Sequence, residues 1–149
     1  MSKRTVFSML SVAGALVATA LWTTRGAAQD PKTEEPLRVV VHVNFAEPGV
    51  QGRGLKNIAN VLKMTGGQAR VEVVCHGPGI GLLDAKRSDF VKEVQALMKD
   101  GVTFVACEQT MKLKSILKSD LIAGVGTVPS GTIEILRKQQ FDHYSYFKP

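Results

Sequence analysis

Two cysteines and three histidines carry most of the chemistry open to this chain of 149 residues. Cys107 is the sharper candidate. It closes the apolar run Val102–Cys107 and stands three residues before Thr110, where a short lysine-rich helix is predicted to begin. Unpaired N–H groups at a helix start favour an anion, and a thiolate is one. Lys112 and Lys114 add positive potential within the next two turns. The thiolate, not the thiol, attacks sulfur or carbon electrophiles, so the chemistry on offer is nucleophilic. Glu108 acts against it, because a neighbouring carboxylate raises a thiol pKa. The same position also suits an inert, small buried residue, a common setting for free cysteine. The residues alone leave both readings open.

Cys75 ends the run VEVVC and reads first as core, with resolving or bridging an oxidised Cys107 as the alternative. His76 follows it directly. It could serve as a base or as a donor to a bound anion, or be a turn histidine satisfied by its neighbours. His42 lies inside an earlier strand as a core or supporting residue, and His143 reads as surface. Cys75, His76 and Cys107 are three potential metal ligands, but no CxxC, HxxxH or paired spacing accompanies them. No metal and no cofactor are expected. Gly77-Pro78-Gly79-Ile80-Gly81 contains proline and opens no long helix, so it is not a dinucleotide fingerprint. Neither a P-loop nor a GxSxG elbow is present.

Alternating elements must position these residues. Leu37–Asn44, Ala69–His76, Val102–Cys107 and Gly124–Val128 read as buried strands, with a short last strand at Tyr144–Phe147. Helices are predicted over Gln51–Met64, Asp89–Lys99 (capped by Ser88), Thr110–Leu117 and Pro129–Gln140. In the first, Leu55, Ile58, Ala59 and Leu62 face inward. In the second, Phe90, Val91, Val94, Leu97 and Met98 do so. In the last, Ile133, Leu136 and Ile135 supply the packing face. Strand–helix alternation makes a mostly parallel sheet with helices on both faces. Ligands then bind beyond the carboxyl ends of the strands. Those ends hold Asn44; Cys75, His76, Gly77 and Gly79; Cys107, Thr110 and Lys112; and Ser130.

Met1–Ala28 reads as a Sec-type signal peptide, with Lys3 and Arg4 ahead of an apolar stretch and small residues at Gly26-Ala27-Ala28. An uncleaved anchor is the alternative. Cleavage predicts an exported, periplasmic protein with no stable membrane insertion. Residues 29–36 (QDPKTEEP) read as a disordered linker, and residues 37–149 as one domain large enough to bury a core without disulfide staples. The signal holds Lys3, Arg4 and Arg25 and no acid, so it supplies half of the net charge of +6. The remaining balance and the lack of an arginine-rich stripe argue against nucleic acid as a partner.

VVVHVN (Val39–Asn44), VEVVCHGPGIGLL (Val71–Leu83), GVTFVACEQTMK (Gly101–Lys112) and the tail after Val125, GTVPSGTIEILRKQQFDHYSYFKP, together resemble the DsrE/DsrF-like family. The resemblance runs from Leu37 to Pro149. It implies a three-layer α/β/α fold whose five-stranded parallel sheet has the order 4-3-2-1-5. The ends of the second and third strands are then adjacent, which makes Cys75 and Cys107 neighbours. It also implies a homo-oligomer, trimer or hexamer, and a persulfide carried on Cys107 and passed to a partner. Sulfur donors and acceptors would be proteins or small sulfur species. Glu108-Gln109 depart from the Gly-Asn that follows the cysteine in one branch of the family. The expected function is therefore sulfur trafficking. Cys107 and Cys75 are its catalytic residues, and Asn44, His76, Gly77, Gly79, Thr110, Lys112 and Ser130 line the site. The alternative is a non-enzymatic oligomeric module that binds a small anion or a protein, with structural or disulfide-switch cysteines.

Overall fold

The computed structural model describes residues 35–149. The expected signal peptide and most of the expected linker lie outside the described residues. Five strands form one all-parallel sheet in the order β4-β3-β2-β1-β5: β1 Arg38–Val43, β2 Arg70–Cys75, β3 Thr103–Cys107, β4 Gly126–Val128 and β5 Ser145–Phe147. Four α-helices connect them: α1 Pro48–Met64, α2 Val91–Lys99, α3 Glu108–Leu113 and α4 Gly131–Gln140. This is the three-layer arrangement expected, with the expected strand order.

The connectivity explains the layers. From β1 to β4 the chain steps one strand at a time in one direction, and α1 and α2 pack on the same face. There Val41, Val73, Phe104, Leu55, Ile58, Val94 and Leu97 build the large core. The link from β4 to β5 crosses back over the whole sheet, so α4 alone covers the opposite face. That face has a small cluster of Val40, Val74, Val105 and Ile135. Lys138 of α4 reaches down to the buried carboxylate of Glu72 on β2, 2.7 Å away.

Local differences from the sequence reading have local causes. α1 starts three residues early, because Pro48 is suited to the first helical turn. Gly77–Leu83 is a 3₁₀ turn rather than a simple bend. Phe90 rather than Ser88 occupies the cap position of α2, although Ser88 Oγ accepts the Phe90 N–H. α3 stops at Leu113, and Ser115 adopts φ +51° just after it. Ile133 and Leu136 were expected inward but are 61% and 53% exposed. A lone helix over a sheet buries only a narrow stripe, here centred on Ile135. Ala59, also expected inward, is exposed on α1.

Candidate functional site

In a parallel sheet every strand ends on the same edge, so Asn44, His76, Cys107 and Ser130 all reach that edge. Alternation then sorts them by face. Cys107 extends the series Thr103, Val105, Cys107, and its Cβ comes within contact of α4's first residue, Gly131. Cys75 belongs to the series Val71, Val73, Cys75, which packs in the large core on the other face. The register pairs Cys75 with Ala106, one residue short of Cys107. Both thiols are free. Cys75 is fully buried, and burial pushes its thiol far above the ordinary value. The catalytic and resolving roles expected of Cys75 therefore do not fit its position, which is that of a core residue.

Cys107 occupies the cap position of α3. Burial by itself would raise its pKa. The N–H groups of Gly131, Thr110 and Gln109, together with the Thr110 hydroxyl, outweigh that effect and bring the thiol below its ordinary value. The sulfur makes no close capping bond to its own helix, so these donors act as a surrounding set of dipoles. Two helix starts converge here, since Gly131 opens α4. Ser130 precedes it, and its side chain takes none of the helix's N–H groups. Cys107 itself is only 4% exposed. The cover is thin, because Gln109 and Pro129 on either side are exposed.

Glycine shapes the site at three places. A Cβ on Gly131 would stand 3.1 Å from His76 Cβ, 3.2 Å from Val74 Cγ1 and 3.3 Å from Cys107 Cβ. A side chain here would press on all three neighbours, so glycine lets α4 start this close to both strand ends. Gly77 has φ +53° and donates its N–H to Thr110 Oγ1 at 3.0 Å. A Cβ on Gly79 would collide with the Val43 carbonyl and crowd Asn44 Cα at 2.9 Å. The glycine turn is thus locked against the end of β1 at one point and against Thr110 at another. Thr110, buried at the start of α3, accepts from Gly77 while its own hydroxyl acts on Cys107. The hydroxyl's one donor and one of its two acceptor lone pairs are thereby used.

The expected electrostatics are partly redistributed. Lys112 is exposed and lines a neighbouring groove with Glu108, Met111 and Thr127. The groups acting on the sulfur are N–H and O–H dipoles, not Lys112. Glu108, expected to oppose ionisation, accepts a hydrogen bond from the Thr127 hydroxyl of β4 at 2.9 Å. Asn44 is half-buried beside the glycine turn.

Three residues join the site that the sequence reading left out: Gly131, His42 and Tyr146. His42 on β1 and His76 after β2 share a face, and their Nε2 atoms are 2.6 Å apart. His42 Nδ1 lies 2.7 Å from the Tyr146 hydroxyl on β5. Strand alternation could have put His42 on the Val40 face, but the pairing with Tyr146 needed the register Val40↔Tyr146. Among the described residues no group of three or more His, Cys, Asp or Glu is placed to hold a metal ion.

Comparison with known proteins agrees with this architecture. The profile of the DsrE/DsrF-like family matches residues 37–149. No protein with a curated description matches the chain. Among solved structures, the protein of unknown function MTH1491 from Methanobacterium thermoautotrophicum is 29% identical with a TM-score of 0.72. The match covers 76% of this chain and 99% of that one. The ychN protein from E. coli is 12% identical with a TM-score of 0.61, again over 76% of this chain and 99% of that one, and its likeness is one of fold.

Proposed function

The chain belongs to the DsrE/DsrF-like family, and from that premise we propose that it is a sulfur-trafficking protein that carries a persulfide on Cys107. The observation that supports this most is the seat of Cys107 at the cap of α3 and against Gly131, the first residue of α4, where neighbouring N–H groups bring its thiol below the ordinary value. Such a set stabilises a thiolate and, equally, the terminal anion of a persulfide. In the loading step the Cys107 thiolate attacks the outer sulfur of thiosulfate. A new S–S bond forms, the donor S–S bond breaks, and sulfite leaves with the electron pair. In the unloading step an acceptor thiol attacks the same outer sulfur, and the Cys107 thiolate is the leaving group. The step is redox-neutral, and a low thiol pKa favours that departure.

The thin cover over Cys107 is formed by the α3 start and the Pro129–Gly131 segment, so access requires these to part or a partner to displace them. Exposed Ile133 and Leu136 on α4 and Phe141 at its C-terminal cap support a homo-oligomer that covers this face, trimeric or hexameric. The test is handover. Protein loaded with thiosulfate and freed of excess donor is mixed with 2-mercaptoethanol. Loss of one sulfur from the protein with matching appearance of mercaptoethanol persulfide supports the carrier. Retention of the sulfur through the chase contradicts it.

The burial of Cys107 favours a second reading, a non-enzymatic module that binds a small anion or a protein at this edge. On that reading Cys107 is a packing residue and alkylates slowly in the folded protein. Fast, selective alkylation at neutral pH argues against it.

A further inference from the structure

The two histidines meet edge to edge. Their Nε2 atoms are 2.6 Å apart and lie between ring centroids 4.7 Å apart, with the ring planes 17° from parallel. This is the in-line geometry of an N–H···N bond, not face-to-face stacking. It requires one protonated and one bare nitrogen, so the contact holds a single proton. Whichever ring carries it, the other nitrogen of His42 takes the opposite role toward Tyr146, and a phenol hydroxyl can meet either role. The chain Tyr146–His42–His76 therefore has two fully bonded states that differ by one proton moved at each link.

The two ends of this chain differ. Tyr146 is 46% exposed. His76 packs at Gly131, the residue that Cys107 also packs against. We propose that His76, His42 and Tyr146 form a proton relay between the Cys107 site and solvent, serving an acceptor that arrives as a protonated thiol. This rests on the carrier reading above. As the acceptor sulfur attacks the persulfide, its S–H bond breaks and the proton passes to the free Nδ1 of His76. The shared proton moves to His42 Nε2, the His42 Nδ1 proton moves to the Tyr146 oxygen, and the phenol proton leaves to water. The acceptor keeps the electron pair that makes the new S–S bond.

The charge environment keeps the relay from trapping the proton. His42 is lowered to about 4 by burial, then by His76 and Lys148. His76 is lowered by burial and then by Lys148. Tyr146 of β5 and Lys148 just after that strand face the pair, and Cys107 at the end of β3 packs with His76 against Gly131. On β2, Glu72 lies on the same face and is paired with Lys138. The first turn of α4 brings no titratable side chain before Glu134, which is bound to Arg137. A doubly protonated pair is thus disfavoured, and an incoming proton is handed on.

The test compares two acceptors on thiosulfate-loaded protein. 2-Mercaptoethanol must lose a proton, whereas sulfite, used at a pH where it is a dianion, has none to lose. His76→Gln and Tyr146→Phe should each lower the ratio of the thiol rate to the sulfite rate by at least about tenfold. Added imidazole should restore part of the His76→Gln rate. Tyr146 is exposed, so its variant reports even if His76→Gln unfolds. Equal slowing toward both acceptors, or no slowing toward the thiol, overturns the relay. An effect of His76→Gln without one of Tyr146→Phe removes the exit and overturns it too. Protein that never takes up sulfur at Cys107 sinks the carrier reading and the relay with it. Normal transfer to both acceptors by both variants sinks the relay alone.

Discussion

Cys75 and Cys107 close adjacent parallel strands yet point to opposite faces of the sheet, because Cys75 pairs with Ala106 rather than with Cys107. A layer of strand backbone separates the two sulfurs. Diamide treatment of the folded protein should therefore give no Cys75–Cys107 disulfide on peptide mapping. Cys75→Ala should keep sulfur loading and lose about 1–2 kcal/mol of stability from a small core void. An intramolecular bridge formed without unfolding would contradict this geometry.

Cys107 is held below its ordinary pKa by donors that outweigh burial. The pH profile of its alkylation should have a midpoint below that of an ordinary thiol. Thr110→Val removes one hydroxyl donor, so the midpoint should move up and the neutral-pH rate fall by about tenfold. Linkage fixes the sign for stability. A depressed folded pKa contributes stability that is fully present above the unfolded value and lost as pH falls through the folded one. Wild type should therefore gain on Cys107→Ala as pH rises between those two values. Chemical denaturation at several pH values measures it.

Gly131→Ala places a methyl group against His76, Val74 and Cys107 at once. Because two of these contacts are to Cβ atoms held by backbone, at the end of β3 and just after β2, α4 must retreat. The expected cost is about 1–3 kcal/mol in thermal or denaturant melts. The retreat also withdraws the Gly131 N–H from the sulfur, so Cys107 should alkylate more slowly at neutral pH even where the protein is fully folded.

Lys138 pairs with Glu72 at 2.7 Å under α4, and one Glu72 oxygen already lacks a partner. Lys138→Met should cost about 3–5 kcal/mol, because it leaves a buried carboxylate uncompensated. Glu72→Leu combined with Lys138→Met should recover most of that loss. Denaturant midpoints of the two variants decide it. A double variant as weak as the single one would show that the pair stabilises by more than mutual neutralisation.

Much of this fold could be read from the chain. The runs VVVHV, VEVVC and TFVAC are nearly continuous in apolar residues, which marks strands covered on both faces. The reading of α4 failed at Ile133 and Leu136. Periodicity finds an apolar stripe but not its width, and one helix over a sheet buries less than a helix between neighbours. The cysteines show the limit more sharply. Strand order makes them neighbours, but a stagger of one residue decides whether they share a face. That stagger resides in the ladder of Val74 with Val105 and Cys75 with Ala106, which no local pattern encodes. Likewise Lys112 looked like the cation for Cys107 by proximity along the chain. The donors that act are the N–H groups of Gly131, Thr110 and Gln109 and the Thr110 hydroxyl, brought in by the β4–α4 turn and the α3 start.

The central claim is that Cys107 accepts a sulfur atom. Intact mass of the folded protein after exposure to thiosulfate, compared across wild type, Cys75→Ala and Cys107→Ser, tests it most directly. One added sulfur on wild type and on Cys75→Ala, with none on Cys107→Ser, is the expected result. A sulfur adduct that persists in Cys107→Ser, or its absence from wild type, would contradict the account.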